Sequence, residues 1–318
     1  MARNELHLLI HDRRFGQLYP DLFRALGCSL PLTVASTDAA FFAALPTADV
    51  LVGTPAGLPD GALRGAGHLR LIQSLWAGVE RWWPLEPPAQ VPLARMTRIF
   101  GAPIAEYVFG HLLAQQQQVA RIKAQQTDRR WEQFTPVGLA GRTMGIAGAG
   151  DIGLAIARRA AAFEMRVLGL GRRLRPAQPP FDGFFTTAEL HRFLPELDYL
   201  VLVLPRTAGT DNLFGAEAFA QMRRGAWLVN VGRGHVVDET ALADALGSGR
   251  LGGAVLDVFQ TEPLPAESPL WGLPNAVITP HLSGITVPEP AAVVAWENVQ
   301  RLLRGEAVVG VVDRTAGY

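Results

Sequence analysis

The chain has 318 residues, with 29 basic and 29 acidic side chains and 49% hydrophobic residues; it is long enough for two domains and carries no net charge to steer a polyanion, which disfavours a nucleic-acid or membrane-surface role. One basic residue is lysine, Lys123, and the other 28 are arginine; Lys123 lies in the polar stretch Arg121–Gln126 with no glycine-rich loop before it, so neither Schiff-base chemistry nor a P-loop fits. Cys28 is the only cysteine, which excludes an internal disulfide and cysteine-based zinc or iron-sulfur sites, so no metal is expected and a reducing cytoplasm is the expected location.

Met1–Ile10 lacks the regions of a signal peptide and runs straight into a strand-like segment, and no apolar run is long enough to span a bilayer. Short apolar runs bounded by turn residues then alternate with helix-length segments, the rhythm of an α/β protein with parallel sheets. The early strands are expected at residues 6–10, 49–52, 69–72 and, more weakly, 92–96. A helix from about Ala102 to Gln126 follows, with Ile104, Val108, Leu112, Val119 and Ile122 near helical spacing. At the helical rise it would span more than roughly 30 Å and could bridge two domains; Gln115–Gln118 within it read as a solvated or subunit-facing surface. Trp131–Gly141 reads as a linker. The later strands are expected at 143–147, 165–170, 199–204, 226–231, 254–258 and 276–279, of which Tyr199–Leu204, apolar throughout, is expected to be central. The last helix, about Glu289–Leu303, is too little for a third domain and should pack back on one of the others.

The first chemical signal is Gly148-Ala-Gly-Asp-Ile-Gly153, preceded by the strand at 143–147 and followed by the helical run Leu154–Ala162. A lone glycine fingerprint is weak, but strand, glycine turn and helix here follow the order that a dinucleotide fold requires. Gly148 would permit the tight turn, Gly150 would let the backbone approach a pyrophosphate, and Gly153 would let the helix pack on the strand. The helix amino terminus adds N–H groups and a partial positive charge for the phosphates. NAD-preferring folds place an acidic residue about 20 positions on, at the end of the next strand, to bind the ribose diol. Here that strand ends in Gly171-Arg172-Arg173. Two guanidiniums suit a 2′-phosphate and can stack on adenine, so NADP(H) is the expected cofactor, with NAD(H) possible. The plainer alternative is a pair of solvated surface arginines.

Ligands in open α/β sheets bind beyond the carboxyl ends of the strands, where three more features stand. Arg233 lies between Gly232 and Gly234 after one strand, Asp257 and Glu262 belong to the end of the next, and His281 follows Pro280 after the last. Reducing a 2-oxo acid needs a cation for the carboxylate and carbonyl, a proton donor for the developing alkoxide, and a hydride. Arg233 fits the cation and His281, oriented by Glu262, fits the donor; Asp257, deeper in its strand, could hold the nicotinamide carboxamide. Singly, Arg233 could equally neutralise a surface acid and Glu262 could be a turn residue, and His235 competes with His281. His7, His111 and His191 read as structural.

Together these residues resemble the D-isomer-specific 2-hydroxyacid dehydrogenases. The resemblance covers essentially the whole chain and rests on Gly148–Gly153, Leu204-Pro-Arg-Thr-Ala-Gly-Thr210, Asn230-Val-Gly-Arg-Gly234, Leu256-Asp-Val-Phe-Gln-Thr-Glu-Pro-Leu264 and Thr279-Pro-His-Leu-Ser-Gly284. Within the family the chain is most similar to the glyoxylate/hydroxypyruvate reductase group, through Glu267-Ser-Pro-Leu-Trp271, the arginines at 172 and 173, and the ending Val312–Tyr318. Gly232, where alanine is common, and Ser283, at a usually small apolar site, depart from the family pattern without removing a chemical group.

The resemblance implies two Rossmann-like domains with parallel sheets, the cofactor domain (99–285) inserted into a discontinuous substrate domain (1–98 and 286–318), and a homodimer. It implies catalytic roles for Arg233, Glu262 and His281. Gly148, Gly150, Asp151, Ile152, Gly153, Arg172, Arg173, Leu204, Pro205, Thr210, Val231, Arg233, Asp257 and His281 would meet the cofactor. The substrate would meet Trp76, Ala77, Gly78, Arg233 and His281, its carboxylate at the backbone of the 75–79 loop and at Arg233; Trp76 would wall the pocket or pack in the core, and Trp271 is a weaker candidate for the same wall. The expected reaction is NADPH-dependent reduction of glyoxylate or hydroxypyruvate. A broader 2-oxo-acid reductase is the alternative, a phosphoglycerate-type dehydrogenase fits a chain this short poorly, and a nucleotide-sensing module would not need the proton donor.

Overall fold

The structure, a computed structural model, describes residues 6–317. Met1–Glu5, half of the segment read as running into the first strand, and Tyr318, the end of the family-like tail, lie outside the described residues. Contacts divide the chain into two units: the chain up to Phe100 together with that from Thr286, and Gly101–Ile285.

The first unit is built on a five-stranded parallel sheet of β1 (Leu8–His11), β2 (Leu32–Val34), β3 (Val50–Gly53), β4 (Leu71–Ser74) and β5 (Leu93–Ala94), in the order β2-β1-β3-β4-β5. β1, β3 and β4 are buried at every position, as parallel strands covered on both faces must be. The last helix, Pro288–Leu303, belongs to this unit. Trp296 Nε1 donates to Leu26 O at 3.0 Å and Asn298 Nδ2 to Gln73 Oε1 at 2.6 Å. Beyond it, Val312 N donates to Leu93 O at 2.8 Å, and Val311 pairs antiparallel with Ala94 of β5.

The second unit holds a seven-stranded parallel sheet of β6 (Thr143–Ala147), β7 (Arg166–Gly171), β8 (Gly183–Thr186), β9 (Tyr199–Leu202), β10 (Trp227–Asn230), β11 (Gly253–Leu256) and β12 (Ala276–Ile278), in the order β12-β11-β10-β9-β6-β7-β8. β9, the strand expected to be central, is the middle one. The chain runs outward one way from β6 through β7 and β8, and the other way from β9 through β12. The strand order therefore reverses between β6 and β9, the place where such sheets bind ligands.

Three expectations are corrected. The helix expected over 102–126 is two helices, Gly101–Gln116 and Val119–Thr127, broken where Gln118 takes a left-handed backbone (φ 52°). Both pieces belong to the second unit. Nor is the glutamine run simply solvated: Gln116 is buried, its carbonyl accepting from Val137 N at 3.1 Å. Finally, β2 and β8 were not anticipated; both are edge strands, three and four residues long and only half-buried, so they lack the continuous apolar run that marks the others.

Candidate active site

In the second unit the glycine turn joins β6 to the helix Asp151–Ala162, with Gly150 as its N-cap. Gly148 has φ +104°, and a Cβ there would stand 2.6 Å from Val203 O; at Gly153 it would stand 2.1 Å from Gly148 O. Gly148 is demanded by the turn itself and by the backbone that follows β9, Gly153 by the packing of helix on strand. Gly150 is different: its φ is −84° and an added Cβ meets nothing within 4 Å. Neither backbone nor packing requires glycine there, so the missing side chain leaves open space at a helix amino terminus, a cradle suited to a dinucleotide's phosphates. Asp151 is exposed, Ile152 half-buried and Gly153 buried on the first turn.

Around the cradle stand the neighbouring strand ends. Leu204 and Val231 are buried after β9 and β10. The Thr210 hydroxyl, expected to meet the cofactor, closes its own loop by donating to Pro205 O at 2.8 Å while accepting from Thr207 N at 2.8 Å. Arg172 and Arg173 follow β7 and are exposed. Sequence reasoning overlooked Arg175, whose guanidinium donates to Ala149 O in the glycine turn at 3.1 Å; it lies in a stretch without periodicity and only the fold brings it there.

The proposed proton donor and its partner meet: His281 Nδ1 lies 2.8 Å from Glu262 Oε2, while Glu262 Oε1 accepts from Phe259 N at 3.1 Å. Burial pushes the Glu262 carboxyl up, but the hydrogen bonds from His281 and Phe259 and the nearby charges of His281 and Arg233 outweigh it and hold the group below its ordinary range. With Nδ1 engaged by the carboxylate, Nε2 is left for a ligand. Arg233, after β10 on the adjacent strand, is half-buried, and its turn is shaped by Asn230, which is 1% exposed. Asn230 Nδ2 donates to Arg233 O and its Oδ1 accepts from Gly232 N, each at 3.1 Å. A Cβ at Gly232 would come within 2.9 Å of Leu204 O, so the departure from alanine lets the arginine turn approach that strand end. His235 is half-buried in the short 3-10 turn Gly234–Val236; the carboxylate pairs with His281.

Asp257, expected to hold the nicotinamide carboxamide, is engaged with its own neighbourhood. It is fully buried, with Oδ1 accepting from Thr279 Oγ1 at 2.5 Å and Leu282 N at 2.9 Å, and Oδ2 from Ser283 N at 2.9 Å. Its bonds are spent on the loop that carries His281, because a buried carboxylate must find donors and the turned backbone supplies them.

In the first unit, the loop after β4 leaves Trp76, Ala77 and Gly78 half-buried. Trp76 N donates to Ser74 Oγ at 3.0 Å and Trp76 O accepts from Met96 N at 3.0 Å. The fully buried tryptophan is Trp82, not Trp76, and Trp271 is 54% exposed with its indole N–H donating to Pro265 O.

Two parallel α/β units, a glycine cradle at the reversal of strand order, and an arginine, a glutamate and a histidine on three successive strand ends define a nucleotide-dependent dehydrogenase. The chain belongs to the D-isomer specific 2-hydroxyacid dehydrogenase family, whose NAD binding domain matches residues 109–283, and it is an NAD(P)-dependent oxidoreductase. It is 36% identical over 260 residues to a glyoxylate/hydroxypyruvate reductase A of Klebsiella pneumoniae (strain 342), covering 79% of this chain and 82% of that one. Among solved structures it is similar to a D-isomer specific 2-hydroxyacid dehydrogenase family protein from Aeromonas salmonicida subsp. salmonicida A449 (TM-score 0.89, 37% identity, 98% and 99% of the two chains). It is also similar to an NADPH-dependent glyoxylate/hydroxypyruvate reductase from Sinorhizobium meliloti in complex with NADP and sulfate (TM-score 0.85, 27% identity, 99% and 100%).

Proposed function

We propose that the protein reduces a small 2-oxo acid, glyoxylate or hydroxypyruvate, with NADPH, His281 giving the proton. The observation that carries this reading is the Glu262–His281 pair, 2.8 Å at Nδ1. The carboxylate fixes the ring through Nδ1 and leaves Nε2 as the nitrogen that hands over a proton. The bound dinucleotide would supply the hydride. Its phosphates would be held at Gly148–Gly153, with Arg172 and Arg173 meeting the 2′-phosphate; the curated relative's name and the NADP in the Sinorhizobium structure agree with this choice. Arg233 would bind the substrate's carboxylate and carbonyl, so that charge growing on the oxygen meets a guanidinium already in place. His281 would protonate that oxygen from Nε2. The backbone at Trp76, Ala77 and Gly78 would contact the substrate carboxylate; among the described residues no hydrogen bond takes the N–H of Ala77 or Gly78.

The test is to follow NADPH absorbance with glyoxylate, hydroxypyruvate, pyruvate and bulkier 2-oxo acids. Preference for the first two supports the reading, and the absence of turnover with all of them ends it. The proposal includes a homodimer, as the family resemblance implies; a monomer by light scattering at working concentration would remove that part. Buried Cys28, the single thiol, suits the proposed cytoplasmic location. Among the described residues no helix is long and apolar enough to cross a membrane.

A further inference from the structure

His281 has φ +49°, in the left-handed region that a residue with a Cβ enters only when its surroundings impose it. The imposition can be read bond by bond. Asp257 O accepts from His281 N at 3.0 Å, and the Asp257 carboxylate takes the next two backbone N–H groups, Leu282 at 2.9 Å and Ser283 at 2.9 Å. Three consecutive amides thus converge on one residue that is 0% exposed. The carboxylate can only accept, so the Thr279 hydroxyl must donate to it across their 2.5 Å contact. That leaves Thr279 Oγ1 as the acceptor for the Tyr107 hydroxyl at 2.7 Å. The direction of the whole chain, Tyr107 to Thr279 to Asp257, follows from the charge at its end. Tyr107 comes from the helix Gly101–Gln116, and its ring is covered by His111, with centroids 4.4 Å apart. Burial, the largest influence, pushes its phenol up to about 12, so it remains a donor throughout the physiological range.

We propose that Thr279 and Tyr107 are positioning residues: through Asp257 they hold the loop Thr279–Ser283 in the one backbone shape that aims His281 at Glu262 and at the substrate. This rests on the reading of His281 as proton donor, but the anchoring has a consequence of its own that can be measured without turnover.

The experiment compares wild type with Thr279→Val, which keeps shape and β-branching but removes the hydroxyl, with Thr279→Ser, which restores it, and with Tyr107→Phe. Three quantities are read: amide hydrogen exchange of the 281–283 segment, NADPH affinity by fluorescence titration, and kcat and KM for the 2-oxo acid. In Thr279→Val the segment should exchange about tenfold faster and kcat fall about tenfold, while NADPH Kd stays within about twofold; Thr279→Ser should recover both, and Tyr107→Phe should shift both by about threefold. Unchanged exchange and kcat in Thr279→Val overturn the proposal. A rise in NADPH Kd with exchange and kcat intact also overturns it, by assigning the network to cofactor binding instead. Should Thr279→Val not fold, Tyr107→Phe, which removes one oxygen from the far end, decides by the same readings. If wild type reduces no 2-oxo acid, the reductase reading fails alone, and the exchange data still decide whether the loop is anchored this way.

Discussion

Glu262 Oε2 and His281 Nδ1 lie 2.8 Å apart although the two residues stand on different strand-end loops. Replacing the glutamate by glutamine keeps an acceptor but removes the negative charge beside the ring. For Glu262→Gln we expect kcat/KM for reduction to fall about 10–100-fold, because the ring loses the partner that orients it. The sign for stability follows from the lowered carboxyl. A group depressed on folding contributes stability above its unfolded value, and that contribution is lost as pH falls through the lower folded value. Melting curves of wild type and Glu262→Gln should therefore converge as pH drops below the ordinary carboxyl value of 4.5; a gap that stays constant into acid would remove the ion pair as its cause.

Arg233 and His281 are expected to be indispensable in different ways. Arg233→Ala should lower kcat/KM about 10²–10³-fold and raise the substrate KM, since it removes both binding and oxyanion charge. His281→Ala should lower kcat by a similar factor. Near-normal turnover in either variant sinks the mechanism.

Cofactor choice is expected to reside in the two exposed arginines after β7. The double variant Arg172→Ala, Arg173→Ala should reduce kcat/KM with NADPH about 100-fold or more and leave the NADH value little changed. If the ratio of the two values does not move, these arginines are ordinary surface charges.

Two glycines of the same turn should separate folding from binding. Gly153→Ala puts a methyl group 2.1 Å from Gly148 O and is expected to destabilise the second unit by about 1–3 kcal/mol or more. Gly150→Ala meets nothing within 4 Å and should leave the melting temperature nearly unchanged while weakening dinucleotide binding measurably by calorimetry. A Gly150→Ala protein that melts early but binds normally would contradict the cradle.

Much of this could be read before any coordinates. The buried strands announced themselves because a parallel strand covered on both faces must be apolar throughout, and the cradle because glycines cluster where chain and ligand crowd together. The edge strands β2 and β8, half-wet, carry no such mark. The break at Gln118 has no proline or glycine to signal it; a left-handed glutamine becomes visible only through its backbone. Arg233, Glu262 and His281 could be named from chemistry and position. Their supports could not: Asn230, Thr279 and Tyr107 look like ordinary polar members of strands and helices, and which amide or carboxylate each one finds depends on partners up to 172 positions away. The loop bonds of Asp257 are illegible for the same reason, since nothing in its sequence neighbours shows which amides its oxygens meet.

The discontinuous first unit has a consequence for biosynthesis. Its sheet is translated early, yet the helix that supplies Trp296 to Leu26 and Asn298 to Gln73 leaves the ribosome only after all of Gly101–Ile285. At roughly 5–20 residues per second the nascent five-stranded sheet waits about ten to forty seconds with the buried side-chain oxygen of Gln73 still lacking the Asn298 donor and part of its apolar face wet, while the second unit already has its whole sequence in hand. The later-translated unit is thus the first able to finish folding, and the interval is one in which a chaperone has an incomplete parallel sheet to shield.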